Sequence, residues 1–126
     1  MKKQCIPLSG SSPMPFSAAV KAGCFIFVSG QVGSKDDKGN DIKGIEGQLK
    51  QCMDSIKKTL EKADSSLKDV VKVTVFLRNV EDFPKLNEIY STYFPTDRPA
   101  RSTAITGLVN ASMLVEIECI AYCPDK

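Results

Sequence analysis

The chain has 126 residues, of which 42% are hydrophobic and 25% are charged, and its formal net charge is +2. These values fit a single globular domain, expected to span residues 1–126, with enough apolar residues for a core. So mild a positive charge does not indicate a nucleic-acid partner. Because no apolar run is long enough for a membrane span or an export signal, we expect a cytoplasmic protein.

The first third of the chain predicts three strands. They are expected at residues 4–9, 16–21 and 24–28, with turn-forming residues between them. The third strand, Cys24-Phe-Ile-Phe-Val28, is apolar throughout, which is typical of a central strand that is covered on both faces. Residues 33–44 are polar and are predicted to form a loop.

Two helices and a fourth strand are predicted next. Apolar residues recur at helical spacing from Ile45 to Ala63, which indicates the longest helix. Alternation from Asp69 to Leu77 predicts a strand in which Val71 and Val73 share one face. A second helix is expected from about Asp82 to Tyr93. The lysines opposite the apolar stripe of the first helix are interpreted as solvated charges.

The last quarter of the chain predicts two more strands, on either side of turn-forming residues 107–112. We expect these strands to pair as an antiparallel, hairpin-like unit with Arg101 and Glu116 near its opposite ends. From Met113 onwards, alternation places apolar side chains on one face and both Glu116 and Glu118 on the other. A carboxylate on such a face is either solvated or held in a cleft that a partner covers.

The predicted element order is β-β-β-α-β-α-β-β, which belongs to the α+β class. Right-handed crossovers put both helices on the same face of the sheet and leave the other face uncovered. The strand at residues 24–28 brings apolar side chains to that uncovered face. A large exposed apolar face favours self-association with closed cyclic symmetry.

The residue types limit the chemistry. The chain has no histidine, which excludes Ser-His and Cys-His nucleophilic pairs and histidine metal sites. Acid–base work is left to a carboxylate, a lysine, a cysteine or a positioned water. The cysteines are odd in number and lack C-x-x-C spacing, so we expect them to be small core residues in a reducing compartment. They are Cys5, Cys24, Cys52, Cys119 and Cys123.

Sequence segments spread over nearly the whole chain resemble the Rid family, also called YjgF/YER057c/UK114. The order of elements matches, and so do the intervals between the segments. The segments are Ser29-Gly30-Gln31, Val71-Lys-Val-Thr-Val-Phe-Leu77 followed by Asp82, Phe83 and Asn87, Pro99-Ala-Arg-Ser-Thr103, and Val115-Glu-Ile-Glu-Cys-Ile-Ala121.

The resemblance implies a chorismate-mutase-like fold, in which a mixed sheet carries two helices on one face. It also implies a homotrimer whose sheets form a central barrel, with three clefts between subunits. The implied activity is the hydrolysis of reactive 2-enamino and 2-imino acids, released by pyridoxal-phosphate enzymes, to 2-oxo acids and ammonia. The expected partner is therefore a small molecule, no cofactor or metal is expected, and the family leaves a mitochondrial location open.

The resemblance also assigns roles to residues. Arg101 would hold the substrate carboxylate, and Glu116 would orient or activate the attacking water. Further substrate-binding positions are Phe16, Ser29, Gly30, Asn87 and Thr103, the last through its backbone groups. The family commonly has Pro-Tyr-Ser-Gln-Ala where this chain has Pro15-Phe-Ser-Ala-Ala19, so Phe16 can wall the cleft but cannot donate a hydrogen bond.

Three alternatives remain open at this point. The family also carries an endoribonuclease and translation-inhibitor label, although a protein without histidine lacks the usual base for activating a 2′-hydroxyl. A trimeric cleft could instead be a non-catalytic sensor of small carboxylates. Arg101 could also make an ordinary ion pair with Glu116 or Glu118, which would contribute little.

Overall fold

Six strands of the chain form one mixed sheet, and two helices pack on one of its faces. The structure is a computed structural model and describes residues 2–10 and 12–124. The strands are β1 (Gln4–Ile6), β2 (Ala19–Ala22), β3 (Phe25–Val32), β4 (Val70–Leu77), β5 (Ala100–Ile105) and β6 (Val115–Tyr122). The helices are α1 (Ile45–Lys62) and α2 (Phe83–Tyr93). The α+β class and the predicted element order are confirmed.

No helix in the described part of the chain is long and apolar enough to cross a membrane. The location of the protein in the cell stays a prediction.

The strand order in the sheet is β1-β2-β3-β6-β4-β5. Strand β6 pairs antiparallel with both β3 and β4, whereas β5 pairs parallel with β4 at the sheet edge. The predicted hairpin of the last two strands is therefore wrong. Val115, Ile117 and Ala121 of β6 are fully buried, whereas no residue of β5 is. Placing β6 in the centre buries more apolar surface, and the connection at residues 106–114 is long enough to reach past β4.

The core lies between the sheet and the helices. The apolar stripe predicted for α1 is confirmed, because Leu49, Met53, Ile56 and Leu60 are at most 1% exposed. They belong to one cluster of buried residues that also includes Ile26 of β3 and residues of α2. Packing of this stripe, rather than helix propensity alone, holds α1 on the sheet.

No helix of the described residues covers the other face of the sheet. Phe25, Phe27 and Tyr122 on this face are between 43% and 46% exposed. Their rings touch one another, with centroids 6.5 Å apart for Phe25 and Phe27 and 5.3 Å apart for Phe25 and Tyr122. We call these three residues the open aromatic face. Such an exposed apolar patch is typical of an interaction surface.

A bulge in β4 changes one predicted face. The register against β6 shifts between Val70 and Lys72. As a result Val70 is buried and Val71 is exposed, whereas simple alternation placed Val71 with the buried Val73. An extra residue in one strand of a pair reverses the alternation on one side of the bulge. The prediction for Val71 was therefore wrong.

The cysteines fall into two groups. Cys52, Cys119 and Cys123 are buried, as predicted. Cys5 and Cys24 are exposed, so the prediction of core positions was wrong for them. Cys5 lies on the edge strand β1, and Cys24 lies in the turn between β2 and β3, where little of the chain covers them.

Gly33→Ala tests the contact between the end of β3 and the start of α1. A Cβ at Gly33 would overlap the backbone carbonyl of Gln48. Because a helix carbonyl cannot rotate aside, we expect a loss of about 1–3 kcal/mol in the free energy of unfolding, as for overpacked cores. Urea unfolding of the parent chain and the variant measures this difference in free energy.

Gly107→Ala is the matched control, because nothing lies within 4 Å of a Cβ at that position. We expect its free energy of unfolding to stay within about 0.5 kcal/mol of the parent chain. Equal effects of the two substitutions would show that the Gly33 contact is not a constraint.

Candidate active site

Arg101 lies on the edge strand β5 and points to the helix face of the sheet. It pairs with Val73 of β4, whose buried side chain lies on the same face. Its Nη2 donates a hydrogen bond of 2.8 Å to Oδ1 of Asn87 on α2. Its Cζ lies 4.8 Å from the centre of the Tyr90 ring and 5.8 Å from that of Phe83. The amide and the two rings together orient the guanidinium.

The helix α2 presents these three residues because of their spacing. Phe83, Asn87 and Tyr90 are four and three residues apart, which places them on one face of a helix. The sequence analysis named Phe83 only within a segment that resembles the family, and it did not predict that Phe83 and Tyr90 contact Arg101. A polar Asn87 inside an apolar stripe was the available signal.

No carboxylate of the described residues forms an ion pair with Arg101, and its one side-chain partner there is Asn87. Within one chain, Arg101 therefore makes no ion pair with Glu116 or Glu118. Only one N–H donor of the guanidinium is used by Asn87. The remaining donors can bind a planar anion such as a carboxylate.

Thr103 lies two residues after Arg101 on the same face, opposite Val75 of β4. Its Oγ1 is buried without a hydrogen-bond partner, and so is the hydroxyl of Tyr90. Buried hydroxyls without partners are uncommon, and they often mark a place that water or a ligand completes. We call Asn87, Arg101 and Thr103 the edge group.

Glu116 lies on the opposite face of the sheet. It pairs with Val32 of β3 and Phe76 of β4, between the fully buried Val115 and Ile117. A Cβ at Gly30 would overlap its carboxylate, so the glycine allows Glu116 to lie against the β3 backbone. The β3–β6 register shifts between Val28 and Gln31, which places Ser29 and Gly30 at a bulge, as is frequent beside functional sites.

Ser29 connects this site to the segment that carries Phe16. Its Oγ donates a hydrogen bond of 2.6 Å to the Ser17 carbonyl. Phe16 itself is half exposed. We call Phe16, Ser29, Gly30 and Glu116 the sheet-face group.

The titration behaviour of Glu116 differs from that of an ordinary glutamate. Partial burial raises its pKa, and the charge of Glu118 raises it further. Burial also raises the pKa of the Cys52 and Cys119 thiols to about 12, so both stay protonated at neutral pH. Neither buried thiol is then a nucleophile or a base, whereas the raised pKa of Glu116 increases the proton affinity of its carboxylate.

One chain does not bring the two predicted catalytic residues together, since Arg101 and Glu116 face opposite sides of the sheet. A cavity of about 630 Å³ lies beside the ends of both helices and contains none of the predicted site residues. A single chain therefore presents two separate groups on two surfaces of the sheet.

Comparisons with known proteins identify the class and then the family. Residues 9–123 match the family model described as Endoribonuclease L-PSP. The chain is 46% identical over 109 residues to a RutC family protein of Pyrococcus abyssi (strain GE5 / Orsay), with 86% of each chain covered. It is 34% identical over 115 residues to a protein of Dermatophagoides farinae named 2-iminobutanoate/2-iminopropanoate deaminase, with 90% of each covered.

A solved structure of a Rid family protein from Yersinia pestis is similar with a TM-score of 0.88 and 33% identity, covering 96% of this chain and 99% of that one. The chain therefore belongs to the Rid family, also called YjgF/YER057c/UK114. The family includes proteins named as deaminases.

Glu116→Gln is expected to stabilise the fold at neutral pH. Because the pKa of Glu116 is raised, the folded state binds its proton more tightly than the unfolded chain does. Stability is therefore lost as the pH rises from the ordinary towards the raised pKa, and the buried charge costs free energy above that range. Since Glu116 is partly exposed and solvent screens its charge, we expect a gain of less than about 1 kcal/mol at neutral pH.

Melting temperatures at neutral pH and near about pH 4, the ordinary range of glutamate, measure this effect. The gain should shrink in acid. Glu61→Gln, which changes an exposed carboxylate on α1, is the control and should change stability less. A Glu116→Gln variant that is destabilised equally at both pH values would contradict the burial argument.

Proposed function

We propose that the protein is an enamine/imine deaminase that hydrolyses 2-enamino and 2-imino acids, released by pyridoxal-phosphate enzymes, to 2-oxo acids and ammonia. The observation that carries this proposal is the Arg101 guanidinium, which Asn87 and two rings orient and which has no carboxylate partner among the described residues. Such a group suits the carboxylate common to these substrates. The similarity to a named deaminase supports the same activity.

The reaction needs little beyond positioning. Arg101 binds the substrate carboxylate, which places the electrophilic imine carbon C2. Glu116 takes a proton from water while the water oxygen forms a bond to C2. The proton then passes to the imine nitrogen, which gives a tetrahedral carbinolamine. The hydroxyl proton of the carbinolamine passes through Glu116 to the same nitrogen, the C–N bond breaks, and ammonia leaves as the 2-oxo group forms. The raised pKa of Glu116 brings its proton affinity closer to that of a base working near neutral pH.

The proposed cleft lies between subunits of a homotrimer. Because the edge group and the sheet-face group face opposite sides of the sheet, the edge group of one subunit would meet the sheet-face group of the next. The open aromatic face would be covered in the same assembly. Closed cyclic symmetry then gives one complete cleft for each pair of neighbouring subunits.

The proposed substrates are small. Phe16 would wall the cleft without donating a hydrogen bond, since it lacks the hydroxyl that a tyrosine would bring. The unpartnered Thr103 hydroxyl lies beside Arg101 on the same strand. These features suit short apolar side chains such as those of 2-iminopropanoate and 2-iminobutanoate.

Arg101→Lys and Glu116→Gln are expected to affect different kinetic constants. Arg101→Lys keeps the charge but loses the planar fork, so kcat/KM should fall about tenfold to a hundredfold, equivalent to about 1.4–3 kcal/mol. Glu116→Gln should lower kcat and leave the binding of a 2-oxo acid nearly intact. A serine or threonine dehydratase supplies the imine, and the release of 2-oxo acid is followed.

Arg98→Lys and Glu61→Gln serve as matched controls, because Arg98 donates to the backbone carbonyl of Phe94 and Glu61 is an exposed glutamate on α1. Both controls should keep near-parental kinetics. The deaminase proposal would fail if Glu116→Gln kept full imine hydrolysis and Arg101→Ala lost only ligand binding. The carboxylate-sensor alternative would then take its place. Cleavage of a labelled RNA that depends on Glu116 would instead favour the endoribonuclease.

Phe27→Glu tests the dependence of the cleft on assembly. A charge in the open aromatic face should be tolerated by the monomer, in which Phe27 is 46% exposed, but not in an apolar interface. We expect light scattering to give three times the chain mass for the parent and one chain mass for the variant, with loss of hydrolysis. Val109→Glu, at a loop position that is 92% exposed, should remain trimeric and active. A Phe27→Glu variant that is monomeric and still hydrolyses imines would contradict the shared-cleft proposal.

A further inference from the structure

Gln48 is a buried polar residue in the first turn of α1 whose side-chain amide donates two hydrogen bonds and accepts one. It is 1% exposed. Its Nε2 donates hydrogen bonds to the backbone carbonyls of Ile42 (2.9 Å) and Ser112 (2.8 Å). Its Oε1 accepts a hydrogen bond of 2.9 Å from the backbone N–H of Leu114. A buried amide with three backbone partners holds those backbone segments together.

The partners of Gln48 belong to the two connections that border the sheet-face group. Ile42 lies in the connection from β3 to α1, whereas Ser112 and Leu114 lead directly into β6. Leu114 is two residues before Glu116. One turn further along α1, the thiol of Cys52 lies 3.4 Å from the Gln31 carbonyl and 3.9 Å from that of Val115. The helix thus contacts the ends of β3 and β6 on the face opposite the Glu116 carboxylate.

The position of the Glu116 carboxylate depends on the backbone. No side chain of the described residues donates a hydrogen bond to it, and it lies where Gly30 leaves space. Its location is therefore set by the register of β6 against Val32 of β3 and Phe76 of β4. Whatever fixes the start of β6 also fixes the distance between this carboxylate and Gly30.

We propose that Gln48 is a positioning residue for Glu116. Its amide fixes the start of β6 relative to the end of β3, so that the carboxylate remains partly buried against Gly30. The kinetic part of this inference rests on the proposed deaminase function, whereas the positioning itself does not.

Titratable groups near Glu116 come from β6, α1 and β4. Glu118 lies two residues further along β6, and the Cys52 thiol approaches from α1. On β4, the ammonium group of Lys72 donates to the Ser102 hydroxyl at 2.8 Å. Val32 and Phe76, which pair with Glu116, are uncharged. A change in the Glu116 pKa after substitution of Gln48 therefore reports its burial rather than a lost charged partner.

Gln48→Met tests the proposal, because methionine has a similar shape but makes none of the three hydrogen bonds. We expect the start of β6 to loosen and water to reach Glu116. The pKa of the Glu116 carboxyl, followed by ¹³C NMR titration, should then fall towards its ordinary value. In the imine assay, kcat should fall at least about tenfold with KM changed less than about threefold, since the edge group is untouched.

Leu60→Ala is the stability control. Leu60 is fully buried on the same helix but lies twelve residues, or about 18 Å, from Gln48. It should lower the melting temperature while leaving the Glu116 pKa and kcat unchanged for each folded molecule. Gln48→Asn is a second neutral variant in case methionine prevents folding. Its amide is one methylene too short to reach both connections, so it should shift the pKa and kcat in the same direction.

Folded Gln48 variants with a parental Glu116 pKa and parental kcat would overturn the proposal and leave Gln48 a packing residue. Equal effects of Leu60→Ala would do the same, because general loosening would then explain them. If the parent protein does not hydrolyse imines, the proposed function fails, and the NMR titration still decides the role of Gln48. If it does hydrolyse imines and the pKa does not move, only the positioning role fails.

Discussion

The insertion of β6 between β3 and β4 is the constraint on which the rest of the structure depends. Its alternate residues are divided strictly between two environments, with Val115, Ile117 and Ala121 in the core and Glu116 and Glu118 on the other face. A slip of one residue would bury both carboxylates and expose the core residues. The apolar face therefore fixes the register, and the register places Glu116.

The same strand order separates the functional groups. Because β6 occupies the centre, β5 remains at the edge, where Arg101 turns towards α2 and not towards Glu116. No helix of the described residues lies on the second face of the sheet, so the open aromatic face and the Glu116 carboxylate share one uncovered surface. In the proposed trimer, a neighbouring copy that covers the aromatic rings would also complete the cleft.

The surroundings of Glu116 lower the stability of the fold. The carboxylate lies against a glycine at a bulge, and its burial raises its pKa, which is unfavourable for folding at neutral pH. On the opposite side of the sheet, Gln48 and Cys52 contact the backbone at the ends of β3 and β6. In the proposed positioning role, these contacts hold the strands in the register that keeps the carboxylate partly buried.

The sequence by itself determined the order of the elements, the apolar stripe of α1 and the two faces of β6. These features depend on the periodicity of neighbouring residues, which local backbone geometry dictates. Arg101 and Glu116 were predicted as site residues from the family resemblance alone. Only the tertiary structure decided that β5 pairs with β4, that Val71 is turned outwards by a bulge, and that Phe83 and Tyr90 flank Arg101. Strand pairing is a competition between distant segments for burial, and a connection as long as residues 106–114 permits either outcome. The pairing that forms is the one that buries the most apolar surface in total, and no local sequence pattern contains that information.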